Sequence, residues 1–338
     1  MLGNNGIIAR AKEAETKSAE ASQNDLKGMN ALTEEMNNAL GEKPKVDLSK
    51  YKIGDYVNYT YDTAENYVLT SATCGSSSNP TDGIPQTTGL KWRILNIDEV
   101  NGTVDLVSAA PTSNTVWFKG ILGYNNGPYV MDKICEELYS NNRRGIKARS
   151  IDLIDMEKHL TAAGIAARNA DSNAVKYGTT KTYTSNTKYP SLYANQKGAG
   201  PNASSISQPD ITKGNDPYEE SKPIATTEPT TDNTSGTGNP LTVTQTYYNI
   251  PINDTNYGTA SSILANSTPF WVAARYVDAF SGNAYFGLRY AYTATGGYIM
   301  FYSYGNTSGH RYALRPVVSL PSSLLTGEQT NGAWNLSK

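Results

Sequence analysis

Phe270-Trp-Val-Ala-Ala-Arg-Tyr-Val277 and Tyr312-Ala-Leu-Arg-Pro-Val-Val-Ser-Leu320 are two apolar, strand-like runs, and what lies between them is of another kind. The middle is rich in Tyr, Gly, Ser, Ala and Thr, and the whole of 270–320 contains no Lys, no Glu and no Gln. Tyr276, Tyr285, Tyr290, Tyr292, Tyr298, Tyr302, Tyr304 and Tyr312 fall in it, with Asp278, Phe280, Asn283 and His310 among them. Tyrosine supplies a large, rigid contact area and a hydroxyl at low rotamer cost, so the segment reads as a recognition surface framed by two core strands. The same composition fits a Tyr-rich β-meander in which Tyr fills half-buried strand positions.

The pleat divides the cassette into scaffold and display. Trp271, Ala273, Arg275 and Val277 share one parity, and Leu314, Pro316, Val317 and Val318 belong to the closing strand. Arg289 and Arg315 lie in apolar surroundings and read as hydrogen-bonded structural arginines. The expected scaffold is therefore Trp271, Arg275, Arg289, Arg315 and Pro316. The expected ligand contacts are Asp278, Phe280, Asn283, Tyr285, Tyr290, Tyr292, Tyr298, Tyr302, Tyr304 and His310. A one-residue slip in register would move several of these to the opposite face.

Upstream, residues 47–108 turn β. Tyr51 to Tyr61 alternates, and Lys91–Val100 and Thr103–Ser108 flank Asn101-Gly102, a strong hairpin signal. The Gly/Ser/Pro-rich piece at 75–89 reads as a loop. A helix is expected at 129–139, where Val130, Ile134 and Leu138 recur at i, i+4, i+8, and a second at 153–163 with Ser150 or Asp152 as its cap. Residues 170–240 are rich in Thr, Ser, Asn, Gly and Pro and read as a long irregular surface insertion, after which Leu241–Tyr248 resumes strand character. At the other end, 4–41 reads as one long helix. Ile7, Ile8, Ala11 and Ala14 begin an apolar stripe that Leu26, Met29, Leu32, Met36 and Leu40 continue. At ~1.5 Å per residue it would run over ~50 Å, either packed through its second half or standing as a stalk. The expected class is thus α+β: a helix at 1–44, a domain at 45–325 carrying the insertion and the cassette, and a tail at 326–338.

The 338 residues carry a formal net charge of -2, which argues against a nucleic-acid partner, since such proteins show a basic field. No run approaches the ~18 apolar residues of a membrane span. Two histidines, His159 and His310, are too few and too far apart for a His-rich metal centre, and His159 reads as structural or exposed. Asp278 is the cassette's lone acid, so no calcium site is expected there. Cys74 and Cys135 could pair or remain buried thiols. The chain has no phosphate-binding Gly-rich loop with Lys, no His-Glu-x-x-His, no Cys-x-x-Cys and no Gly-x-Ser-x-Gly. Acid pairs such as Asp152/Asp155 and Glu219/Glu220 read as solvated charge in caps and loops. No catalytic residue, metal or cofactor is expected.

The opening Trp271-Val-Ala-Ala-Arg-Tyr-Val277 and the ending Ala313-Leu-Arg-Pro-Val-Val-Ser-Leu320 resemble the variable region of proteins diversified by diversity-generating retroelements. Leu106-Val-Ser-Ala, Gly123-Tyr-Asn-Asn126, Ile134-Cys-Glu-Glu-Leu-Tyr139 and Ala148-Arg-Ser-Ile-Asp152 look like related bacterial surface proteins. Gly3-Asn-Asn-Gly-Ile-Ile-Ala-Arg-Ala-Lys-Glu-Ala14 is similar to the stretch after the membrane segment of type IV pilins and pseudopilins. The resemblance covers nearly the whole chain apart from 170–240. It implies a C-type lectin-type fold whose end carries a hypervariable site. It implies no enzyme activity but a pilin-like, surface-displayed receptor or adhesin. Its partner would be a protein or glycan on another cell or phage surface, and pilus subunits are possible partners too. In that system template adenines are copied with errors, so Asn codons scatter into Tyr, Ser, Asp, His, Gly, Ala, Thr, Phe and others but never into Lys, Glu, Gln or Met. The missing Lys, Glu and Gln fit, and Met300 falls outside the diversified set. The family begins with an apolar segment that these 338 residues lack, so a membrane anchor is expected to have preceded Met1. Two alternatives stand beside this reading. One is a structural pilus subunit of fixed specificity. The other is a relative of formylglycine-generating oxidases, which share the fold but need cysteines placed for copper or redox chemistry, a role that Cys74 and Cys135 suit poorly.

Overall fold

Tyr56–Val57 (β1), Trp92–Asp98 (β2) and Thr103–Ser108 (β3) open an antiparallel sheet in the computed structural model. The structure describes residues 46–62, 85–86, 88–170, 180–185, 239–244, 250–280, 283–292, 295–301 and 309–337. The helix expected at 4–41, Cys74, Tyr302, Tyr304 and 186–238 lie outside the described residues. The β2–β3 connection contains Asn101-Gly102 as the sequence suggests, with Gly102 at φ +61° and Asp98 accepting the backbone N–H groups of Val100 and Asn101. A bulge between Ile94 and Asn96 leaves Leu95 without a direct partner in β3. As successive residues of one strand, Ile94 and Leu95 enter two different cores.

This sheet has seven strands in the order β13-β14-β1-β2-β3-β12-β5, with β5 at Ala148–Ser150, β12 at Pro316–Pro321, β13 at Leu325–Thr330 and β14 at Ala333–Leu336. The stretch 326–338, expected as a tail, is corrected: it forms a hairpin within the sheet, and β14 runs parallel to β1. Asn331 and Gly332, both at positive φ, make its tight turn. Trp334 packs edge-on to Tyr51, with centroids 4.6 Å apart, and its indole N–H donates to Asp55 at 2.9 Å.

A second, five-stranded sheet has the order β10-β9-β8-β11-β4, from β4 at Thr115–Lys119, β8 at Phe270–Phe280, β9 at Asn283–Tyr292, β10 at Thr295–Phe301 and β11 at Gly309–Ala313. Leu314 and Arg315 join it to the first sheet through β12. A two-stranded ribbon pairs Thr180–Ser185 (β6), inside the stretch read as irregular, with Asn239–Thr244 (β7), where strand character was expected from Leu241, and brings the two sides of the insertion together.

Both sheets give one face to each of two cores. The larger lies under helix α1 (Gly120–Tyr139) and collects Trp92, Ile94, Leu106, Phe118, Ile134, Cys135, Leu138, Trp271, Leu288, Leu314 and Val318. The second lies under α2 (Leu153–Glu157), α4 (Asp254–Tyr257) and α5 (Ser261–Leu264), and collects Leu95, Val107, Met156, Ile263, Phe270, Val272, Ala291, Ala313 and Val317. The helix expected at 129–139 begins nine residues earlier, with Pro128 inside it. At Gly127 a Cβ would stand 2.3 Å from Leu288 Cδ1, so the helix backbone itself rests on the sheet.

The helix expected at 153–163 is two helices. Asp152 and Asp155 form a capping box on α2, and Thr161 then starts α3 (Ala162–Ala170) by accepting the Gly164 N–H at 3.0 Å. Asp152 and Asp155 are buried rather than solvated. Arg149 grips Asp155 with two hydrogen bonds of 2.5 and 2.7 Å. The architecture is mixed α+β. Among the described residues no helix is long and apolar enough to cross a membrane.

Candidate binding sheet

The cassette occupies most of the second sheet, and its two ends are fixed first. Phe270 to Ala274 are fully buried, odd positions facing the large core and even positions the second one. The Trp271 indole donates to the Val116 carbonyl at 2.8 Å, which ties β8 to β4 across β11. Between Val272 and Arg275 the ladder with β9 is interrupted, because Ala273 turns its N–H to the Ile151 carbonyl at 2.8 Å. Two residues are passed over, an even number, so the parity of Trp271 is regained: Trp271, Arg275 and Val277 stand opposite Tyr290, Leu288 and Phe286.

At the closing end, Arg315 is fully buried, and no carboxylate among the described residues forms an ion pair with it. Its guanidinium donates to the Ser108 carbonyl at 3.3 Å, to the Leu264 carbonyl at 3.0 Å and to the Ile263 carbonyl, over the Phe270 ring at 5.0 Å. Burial pushes it down to about 9. Arg315 therefore binds the first sheet, α5 and the cassette together. Arg289 and Pro316 are also buried.

The ten expected contact positions do not share a face. Asp278 and Phe280 pair with Tyr285 and Asn283, and Tyr298 pairs with Arg289, which puts all five on the Val272–Arg289 side by register. Tyr290, Tyr292 and His310 fall on the Trp271 side. Tyr290 and His310 belong to a chain of rings at the rim of the large core. Tyr290 stacks on Tyr312 with centroids 4.7 Å apart and planes 13° apart, Tyr312 meets Trp271 edge-on at 4.9 Å, and His310 lies parallel to Tyr312 at 6.3 Å. Burial holds the His310 imidazole below its ordinary range. Tyr302 and Tyr304 lie outside the described residues.

The opposite face of β4 and β11 holds a pair that the sequence reading missed. Arg311 stands directly across from Trp117, with its guanidinium carbon 5.1 Å from the centre of the indole ring. Arg311 is exposed and Trp117 half-buried. Trp117 escaped notice because it lies 153 positions before the cassette opens. Arg311 was not singled out, and exposure is what distinguishes it from the buried Arg289 and Arg315.

His159, on the turn between α2 and α3, is held below its ordinary range by burial and then by Lys158. Among the described residues no group of three His, Cys, Asp or Glu could hold a metal ion. Compared with known proteins, the chain matches no family model, no curated protein and no solved structure.

Proposed function

We propose that this chain is a non-enzymatic ligand-binding protein displayed on a bacterial surface or pilus, with 270–320 as a variable binding segment on a C-type lectin-type domain. One observation carries the reading. Both ends of the cassette are locked into the two cores, and its Tyr-rich middle runs through β9, which adds Leu288 and Ala291 to them, and through β10 at the edge of the sheet. A segment built this way can change its remaining middle positions without disturbing the packing that holds its ends. The recognition chemistry is that of rigid tyrosines between small residues. The pilin-like helix at 4–41 would carry the domain away from the envelope, and the ligand would be a protein or glycan on another cell or a phage.

The test is genomic. A near-copy of the 270–320 coding segment beside a reverse transcriptase, differing from it at template adenines, is the expected finding, and its mismatches would name the varying positions. An intact neighbourhood with neither would overturn the variable-segment reading.

A further inference from the structure

Asn-Gly stands in two described hairpin connections, Asn101-Gly102 between β2 and β3 and Asn331-Gly332 between β13 and β14. The dipeptide suits tight turns, and it also carries a chemical weakness. With no side chain on the following residue, that residue's backbone nitrogen has a clear approach to the Asn carboxamide. Asn126-Gly127 lies within helix α1, whose hydrogen-bonded backbone opposes the rotation this attack needs, and Asn5-Gly6 lies outside the described residues.

At Asn101 the carboxamide is held. Its Nδ2 donates to Asp98 Oδ2 at 2.7 Å, a charge-assisted bond, and its backbone N–H donates to Oδ1 at 2.9 Å. The Gly102 carbonyl accepts the Ser322 N–H at 2.8 Å, and Ser322 Oγ stands 3.5 Å from where a Gly102 Cβ would lie. Swinging the amide towards the Gly102 nitrogen breaks the bond to Asp98 and works against a fixed peptide. Asn331 has no such restraint. It and Gly332 are exposed, no described residue hydrogen-bonds its carboxamide, and a Cβ on Gly332 would meet nothing within 4 Å. The Thr330–Ala333 pair closes the turn, so the Gly332 N–H lies outside the ladder.

We infer that Asn331 is a self-modifying site, where the Gly332 nitrogen attacks Asn331 Cγ and the carboxamide converts to aspartate or isoaspartate. The N–Cγ bond forms, Nδ2 leaves as ammonia with the Gly332 N–H proton, and a five-membered imide remains. Water then opens the imide: attack at Cγ gives aspartate, attack at the main-chain carbonyl gives isoaspartate. Nothing is oxidised or reduced, and water is the sole co-reactant. Aspartate keeps the length of the main chain and suits the turn. Isoaspartate brings an extra main-chain methylene into a two-residue turn and pulls the Thr330–Ala333 and Gln329–Trp334 pairs out of register. Trp334 packs on Tyr51 and donates to Asp55, so the modification slackens the cover on β1. The inference stands apart from the binding reading, since it concerns no residue of 270–320.

The test incubates the full chain in warm neutral buffer and follows both turns by peptide mass spectrometry, where each conversion adds about one dalton. Electron-transfer fragmentation separates isoaspartate from aspartate. Conversion at Asn331 is expected about tenfold faster than at Asn101, the factor one charge-assisted hydrogen bond is worth. In urea, where both turns are unfolded, the two rates should converge. Asp98→Ala, which releases the Asn101 carboxamide, should speed conversion at Asn101 and leave Asn331 unchanged. Aged wild-type protein should unfold at lower urea than fresh protein, while Asn331→Gln, whose longer side chain closes a ring far more slowly, should not drift. Equal rates at the two sites in the folded chain, or an Asn331 that stays intact while the urea sample converts, overturn the site; this comparison within one wild-type chain depends on no variant. An unchanged Asn101 in Asp98→Ala overturns the clamp, and an unchanged urea midpoint once isoaspartate has accumulated overturns the slackened hairpin.

Discussion

Arg315 shows what a buried cation requires where, among the described residues, no acid pairs with it. Three carbonyls from two segments, one on β3 and two on α5, surround the guanidinium in place of water. Arg315→Leu would leave those carbonyls unsatisfied, and a loss of about 3 kcal/mol in urea unfolding is expected. A loss under about 1 kcal/mol would mean that the carbonyls find other donors. The histidines argue at the same scale. His159 and His310 are both lowered from the ordinary value of 6.5, mainly by burial. The unfolded chain therefore binds protons that the folded chain resists as pH falls through that value, so their contribution is intact above it and lost below. Unfolding midpoints at pH 7.5 and 5.5 should differ, and a His159→Gln, His310→Gln double variant should flatten the difference; an unchanged slope would exonerate both. Trp271 and Arg315 were legible in the sequence because apolar neighbours on both sides leave a large or charged side chain no exit. Arg311 was not, because exposure comes from where the second core stops, and no local pattern records that.

Elements were legible where their periodicity was long. β2 and β3 read directly from alternation around Asn101-Gly102, β12 from its apolar run, and the cap at Asp152 from its residue type. Three things were not. Gly127-Pro128 looks like a helix start, yet α1 runs through it because the glycine lets the backbone settle on Leu288. The single helix expected at 153–163 breaks at Lys158–Thr161 because Asn256 receives the Thr161 N–H and sits against Gly164. The parity of the cassette survives one interrupted ladder but splits among strands whose register no pattern fixes. The two glycines give an ordered prediction. A Cβ at Gly164 would stand 2.2 Å from the Asn256 carbonyl oxygen, which is backbone, whereas at Gly127 the obstacle is the end of a leucine side chain. Gly164→Ala should cost about 3 kcal/mol and Gly127→Ala about 1 kcal/mol, because helix propensity offsets part of the strain. The reverse order would refute the account of both contacts. The split faces give another. Replacing Asp278, Phe280, Tyr285 and Tyr298 together by Ser should lower stability by less than about 0.5 kcal/mol per site. Tyr290→Ser alone, which breaks the ring stack, should cost about 2 kcal/mol. A quadruple variant that melts far lower would identify those positions as scaffold.

At the scale of the molecule, the α+β class was legible from the sequence, but the role of the last residues was not. Leu325 to Leu336 have little apolar run of their own, and their strands are justified by what they cover: Tyr51, Asp55 and the outer side of β1. Truncation after Leu324 should destabilise the domain by at least ~3 kcal/mol in urea unfolding, where loss of a dispensable tail would leave the midpoint unchanged. Trp334→Ala should give a smaller loss in the same direction. The parallel pairing of β1 with β14 also sets a timetable. Asn58 meets Asn335 across a separation of 277 residues, so the first strand has its outer neighbour only after all the residues between them have been synthesised. Until then Tyr51 and β1 have an open flank, and such long-range closure is slow and exposes strand edges while it waits. Completion of this sheet waits on Ala333–Leu336, and a ribosome stalled shortly before them would hold a domain whose cassette has been made but whose first strand is still uncovered.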